Sequence, residues 1–118
     1  MHEMGVAMQI VEIATASIPA DLAGSRVEAV NLKVGKLSAI VVDSLRFCFD
    51  AVSRDTALAG ARLNIAEIPV RAACNACHHE WTIDQPAFTC PVCQSGDITL
   101  LSGRELDIES IELAEEET

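Results

Sequence analysis

The sequence predicts an α/β fold in which two helices lie on one face of a small mixed sheet and a compact four-cysteine module is inserted before the last strand. Three observations predict it. Apolar residues recur at helical spacing in two stretches and alternate with polar ones in several others. Four of the five cysteines fall into two Cys-x-x-Cys pairs, Cys74 with Cys77 and Cys90 with Cys93, across a twelve-residue spacer.

Met4, Met8, Val11, Ala14 and Ile18 keep helical spacing, which predicts a first helix from Met4 to Ile18 closed by Pro19. From Arg26 to Leu37 the pattern alternates, with Val30, Leu32 and Val34 on one face, so a half-buried strand is expected, with Gly35 as its end or a bulge. Leu45, Cys48, Phe49 and Val52 then fall at i, i+3, i+4 and i+7 and predict a second helix, with Ser38 or Asp43 as its cap. Cys48 shares that core face and reads as a small buried hydrophobe rather than a reactive thiol.

After Gly60, Leu63 and Ile65 alternate with Arg62 and Asn64 as a second strand running towards Ile68 and Val70. Ile98 to Leu100 and Leu106 to Leu113 predict the remaining strands, and a phase change between Ile108 and Ile111 predicts a bulge near Ser110. The run from Glu115 to Glu117 is expected to be disordered. Three segments result: residues 1–72, the first part of the α/β domain; residues 73–97, the metal module; and residues 98–118, the final strands and the acidic tail.

The middle segment has little core material and four thiols, so it needs a staple. Zn(II) accepts four thiolates tetrahedrally at about 2.3 Å, and two knuckles joined by a short hairpin supply them. Cys74, Cys77, Cys90 and Cys93 therefore read as a structural, zinc-ribbon-like site. An iron centre or a redox disulfide pair are the alternatives, and neither explains the doubled motif as well. Trp81, Ile83 and Phe88 are expected to form a small apolar patch beside the metal. His78 and His79 follow the second cysteine directly; they read as substitute ligands, as an exposed polar pair on the knuckle, or as donors to thiolate sulfur.

Eighteen acidic against eight basic side chains in 118 residues give a net charge of -10, which disfavours nucleic acid and anionic membrane surfaces as partners. No apolar run is long enough to span a membrane, and no cationic-then-apolar leader opens the chain, so a cytoplasmic protein is expected. Enzymatic activity is not. Four cysteines saturate a tetrahedral zinc and leave no open position for a hydrolase. No Gly-x-x-x-x-Gly-Lys-Ser/Thr loop is present to cradle a nucleotide.

The remaining histidine, His2, sits between Met1 and Glu3. The terminus thus combines an α-amine, an imidazole and a carboxylate, with backbone amides that a strongly polarising metal can deprotonate. Such donors suit Ni(II) or Cu(II), whereas zinc prefers the thiolate cage. An isolated histidine here is also a common helix-flanking residue.

Several segments together resemble the HypA/HybF family of nickel metallochaperones for [NiFe]-hydrogenase maturation. They are Met1-His2-Glu3-Met4, Val30 to Leu37 (VNLKVGKL), Leu45-Arg46-Phe47-Cys48-Phe49-Asp50, the two cysteine pairs, and Ser102 to Leu113 (SGRELDIESIEL). The resemblance implies an α/β domain with a zinc module, Ni(II) bound by Met1, His2 and Glu3, and zinc on the four cysteines. It further implies a separate HypB-like GTPase and a hydrogenase large subunit as partners, and leaves a homodimer open. The alternative is a zinc-ribbon interaction adaptor that uses no second metal.

Overall fold

The structure, a computed structural model, describes residues 2–115. In chain order it contains helix α1 (His2–Ala16), a short 3-10 turn (Ala20–Leu22), strand β1 (Val27–Gly35), helix α2 (Val42–Val52), β2 (Arg62–Ile68), β3 (Val70–Cys74), β4 (Glu80–Ile83), β5 (Ile98–Ser102) and β6 (Leu106–Leu113). Met1 and residues 116–118, which take most of the expected disordered tail, lie outside the described residues.

Helix α1 starts two residues earlier than predicted and stops at Ala16 instead of Ile18. Ile18 precedes Pro19, and a residue before proline is driven out of the helical region. The inward face also differs from the predicted one. Glu3, Ala7, Ile10 and Ala14 are buried, whereas Met8 is 58% exposed. Because Met4, Val6, Met8, Val11 and Ile13 make α1 apolar nearly all round, periodicity alone allowed two faces. Packing selects the one carrying Ala7 and Ala14, whose small side chains let α1 lie close against α2.

Helix α2 buries Leu45, Cys48 and Phe49, as their spacing predicted, and Arg46 Nη1 donates to the carbonyl of Leu63 in β2. Neither Ser38 nor Asp43 caps it. The N-cap is Val41, which has no side chain able to do so. With Val27, Ala29, Val30 and Leu32 of β1, these residues form a buried core, together with Leu58 from the loop after α2.

The α/β class with a four-cysteine module is as predicted, and the strands divide into two three-stranded sheets. The first has the order β2-β1-β6. Hydrogen bonds from Ala114 N to Arg26 O and from Gly35 N to Glu105 O make β6 antiparallel to β1. Arg62 meets Glu28 and Asn64 meets Asn31, so β2 advances alongside β1 in the same direction, as the α2 crossover requires. Between the two tie points β1 and β6 have equal length, and both change face midway. Ala29 and Val30 are both buried, and Glu109 and Ser110 are both exposed, where the phase change was expected.

The second sheet, β4-β3-β5, is antiparallel throughout, with Ala72 opposite Trp81 on one side and Leu100 on the other. Fully buried Ala72 makes room for both. Ile98–Ser102 was expected with the last strands of the α/β domain; it pairs instead with β3. The reason is local. Asn75 N donates to Asp97 O at 2.9 Å, which brings the chain back beside β3 one residue before β5 begins. Lys33–Ala39 and Glu67–Leu106 form one compact unit, and the rest of the described chain forms the other.

Candidate metal centre

Strand β3 ends on Cys74, and the turn to β4 is the first knuckle. His78 N donates to Cys74 O at 2.9 Å and Cys74 N to His79 O at 2.8 Å, closing a tight loop around Cys77. The second knuckle repeats it: Gln94 N donates to Cys90 O at 2.9 Å and Cys90 N to Ser95 O at 2.9 Å. Each loop turns on the residue after its second cysteine, with φ of 66° at His78 and 60° at Gln94. Within the loops, Cys77 N reaches Cys74 Sγ and Val92 N reaches Cys90 Sγ, both at 3.4 Å.

A side-chain network joins the knuckles. Asn75 Nδ2 donates to Asp97 Oδ1 at 3.0 Å, Thr99 Oγ1 to Asn75 Oδ1 at 3.1 Å, and Asp97 N to Ser95 Oγ at 3.1 Å. Sequence reasoning missed Asn75 and Asp97. Their signal was two strong turn-forming residues close beside the cysteine pairs.

The knuckles bring four sulfurs together. Cys74 Sγ lies 3.5 Å from Cys93 Sγ, Cys77 Sγ lies 3.5 Å from Cys90 Sγ, and all four fall within 4.8 Å of one another. A tetrahedral ion with bonds of about 2.3 Å to sulfur needs edges of about 3.8 Å, so the cluster fits one with small adjustments. Cys74 and Cys90 are buried, Cys77 and Cys93 exposed.

Charge is shared unequally. The N–H of Cys77 holds the Cys74 thiol below its ordinary value, against the opposing effect of burial. Burial pushes Cys90 up, but the N–H groups of Cys93 and Val92 outweigh it and bring the thiol down to about 7. At Cys77 the His79 N–H pulls down, yet burial and the neighbouring sulfurs of Cys90, Cys74 and Cys93 push the thiol up to about 12. Ser95 N–H likewise pulls at Cys93 and is outweighed by Cys74 and burial, so Cys93 is raised. Four clustered thiols resist ionising together, and a dication relieves that resistance.

The two histidines stand outside this cluster. Both are exposed, and the His79 ring stacks on Trp81 with centroids 5.9 Å apart and planes 6° from parallel. Trp81 and Ile83 are half-buried on β4, while Phe88 is exposed.

His2 and Glu3, the two described members of the expected nickel set, lie in the other compact unit, on the first turn of α1. Met1 falls outside the described residues. The His2 side chain is exposed. That of Glu3 is 8% exposed, and its Oε2 accepts from Val41 N at 3.3 Å.

The family described as "Hydrogenase/urease nickel incorporation, metallochaperone, hypA" matches residues 1–113. A hydrogenase maturation factor HypA from Desulfosudis oleivorans is 56% identical over 115 residues, covering 98% of this chain and 100% of that protein. The solution structure of the Ni metallochaperone HypA from Helicobacter pylori, 20% identical, superposes with a TM-score of 0.65 over 97% of this chain and 98% of that one. A second solution structure of a HypA protein gives a TM-score of 0.70 at 22% identity, over 97% of each chain. At these identities the two structures speak for the fold; the family match and the curated relative carry the conclusion that the chain belongs to the HypA family.

Proposed function

We propose that the protein is a nickel carrier for [NiFe]-hydrogenase maturation, taking Ni(II) at residues 1–3 and holding zinc permanently in the four-cysteine cluster. The observation that carries the reading is the place of His2: an exposed imidazole on the first residue of α1, inside the family match. The first four N–H groups of a helix have no acceptor within it. The amides of His2 and Glu3 can therefore release their protons to solvent and offer nitrogen to a polarising ion without breaking a helical hydrogen bond. The positive end of the α1 dipole eases that deprotonation and disfavours a bare cation, so amide ligation and metal capture go together.

Amine, amide and imidazole nitrogens favour a planar Ni(II) site that an incoming donor can attack from above, which suits a carrier. In the cluster, Cys74, Cys77, Cys90 and Cys93 would hold zinc, which supplies charge balance for the thiolates and a rigid recognition surface. A GTPase of the HypB type and a hydrogenase large subunit are the partners this role requires, and the cytoplasm is where it would act. Among the described residues no helix is long and apolar enough to cross a membrane.

The test is nickel titration of the untagged protein beside His2→Ala and a variant extended at the N-terminus. Nickel binding should be lost or strongly weakened in both, with zinc content unchanged. Unaltered nickel affinity in both would place the site elsewhere and leave a zinc-stapled adaptor.

A further inference from the structure

Glu3 is one of two polar residues buried among the described residues, the other being Ser53 at the end of α2. Its carboxylate points at the start of α2. Val41, the N-cap residue there, has extended backbone (φ -86°, ψ 109°), and its own carbonyl accepts the first helical bond from Leu45 N at 2.9 Å. In a capping box the N-cap N–H is received by a glutamate three residues further along the same helix. Here that position is Ser44, and the oxygen arrives instead from Glu3, 38 residues earlier, at 3.3 Å. A carboxylate also suits the N-terminal end of either helix, and Glu3 stands at both: in the first turn of α1 and against the cap of α2.

We propose that the Glu3 side chain is a positioning residue for the nickel site: by capping α2 at Val41 it pins the first turn of α1, and with it the His2 and Glu3 amides that take the metal. This rests on the N-terminal nickel reading and narrows it. Glu3 contributes its backbone nitrogen to the ion, and its carboxylate stays on Val41. A carboxylate turned towards nickel would leave the Val41 N–H without its partner, so the two roles exclude one another.

The two roles separate in Glu3→Gln and Glu3→Ala. Glutamine keeps an oxygen able to accept from Val41; alanine keeps none. Amide exchange at Val41, the visible absorption spectrum of the Ni(II) complex and nickel affinity are measured on each untagged protein. In Glu3→Ala, exchange at Val41 should quicken and nickel affinity fall by about tenfold, the size of one lost helix cap, while the spectrum keeps its shape. Glu3→Gln should restore most of both. A changed spectrum in Glu3→Gln would make the carboxylate a ligand and overturn the proposal. So would nickel affinity that is equal in all three proteins while Val41 exchange quickens, since the cap would then serve the fold alone. If Glu3→Ala does not fold, Glu3→Gln decides: lost affinity with Val41 still protected overturns the proposal. His2→Ala runs in parallel, because retained nickel there defeats the N-terminal reading whatever Glu3 does.

Discussion

A Cβ atom on Gly35 would lie 2.1 Å from the carbonyl oxygen of Gly103. Leu37 N donates to that same oxygen at 2.7 Å, so the end of β1 is laid directly on the turn between β5 and β6. Gly103 has φ of 115° and faces Val70, whose Cγ2 would be 2.9 Å from a Cβ there. Neither glycine can carry a side chain without moving backbone.

Gly35→Ala should therefore destabilise the protein by about 1–3 kcal/mol, at the upper end because the clash is with main chain rather than a flexible side chain. Urea denaturation of the zinc-loaded protein measures it. A midpoint equal to that of the unaltered chain would mean that the close approach is not present in solution.

His78 and Gln94 hold left-handed backbone without being glycine, a conformation that disfavours any residue with a Cβ. His78→Gly and Gln94→Gly should each stabilise the zinc-loaded module or leave it unchanged, by up to about 1 kcal/mol. Competition with a chelator at pH 7 reads the outcome. A marked loss of zinc retention in His78→Gly would instead give that imidazole a share in holding the metal.

Zinc uptake should release protons in a pH-dependent number. Cys90 titrates at about 7, so its thiolate stabilises the folded metal-free module above its ordinary value of 9.0, and that contribution is lost as pH falls through about 7. Cys77 has the opposite sign: its thiol contributes below 9.0, and the contribution disappears as pH rises towards about 12. Binding should thus displace more protons per zinc at pH 6 than at pH 8, because Cys90 is already ionised at the higher value. A pH-stat titration counts them. The same number at both pH values would contradict the unequal sharing of charge.

What the sequence made legible was local. The Leu45, Cys48 and Phe49 stripe appears as a buried face because i, i+3, i+4 spacing is a property of one helix, and the four cysteines converge because each knuckle closes on itself. What it hid was decided by distant partners. The face of α1 that turns inward is chosen by packing against α2, since nearly every side of α1 is apolar. Val41 looks like a poor N-cap until Glu3 is brought to it, and no pattern within α2 announces that. Leu58, fully buried in a loop, has no periodic neighbours to reveal it. The pairing of Ile98–Ser102 with β3 follows from the contact of Asn75 with Asp97, two residues that hydrophobic patterning does not see.

The division between a permanent sulfur-bound ion and a transient nitrogen-bound one is tested most directly by X-ray absorption at the nickel and zinc edges of the untagged, doubly loaded protein. Zinc should show four sulfur neighbours at about 2.3 Å, and nickel should show nitrogen and oxygen neighbours only. Sulfur in the nickel shell would contradict this division, because it would put the cargo in the cysteine cluster and leave the chain's first residues without their assigned role.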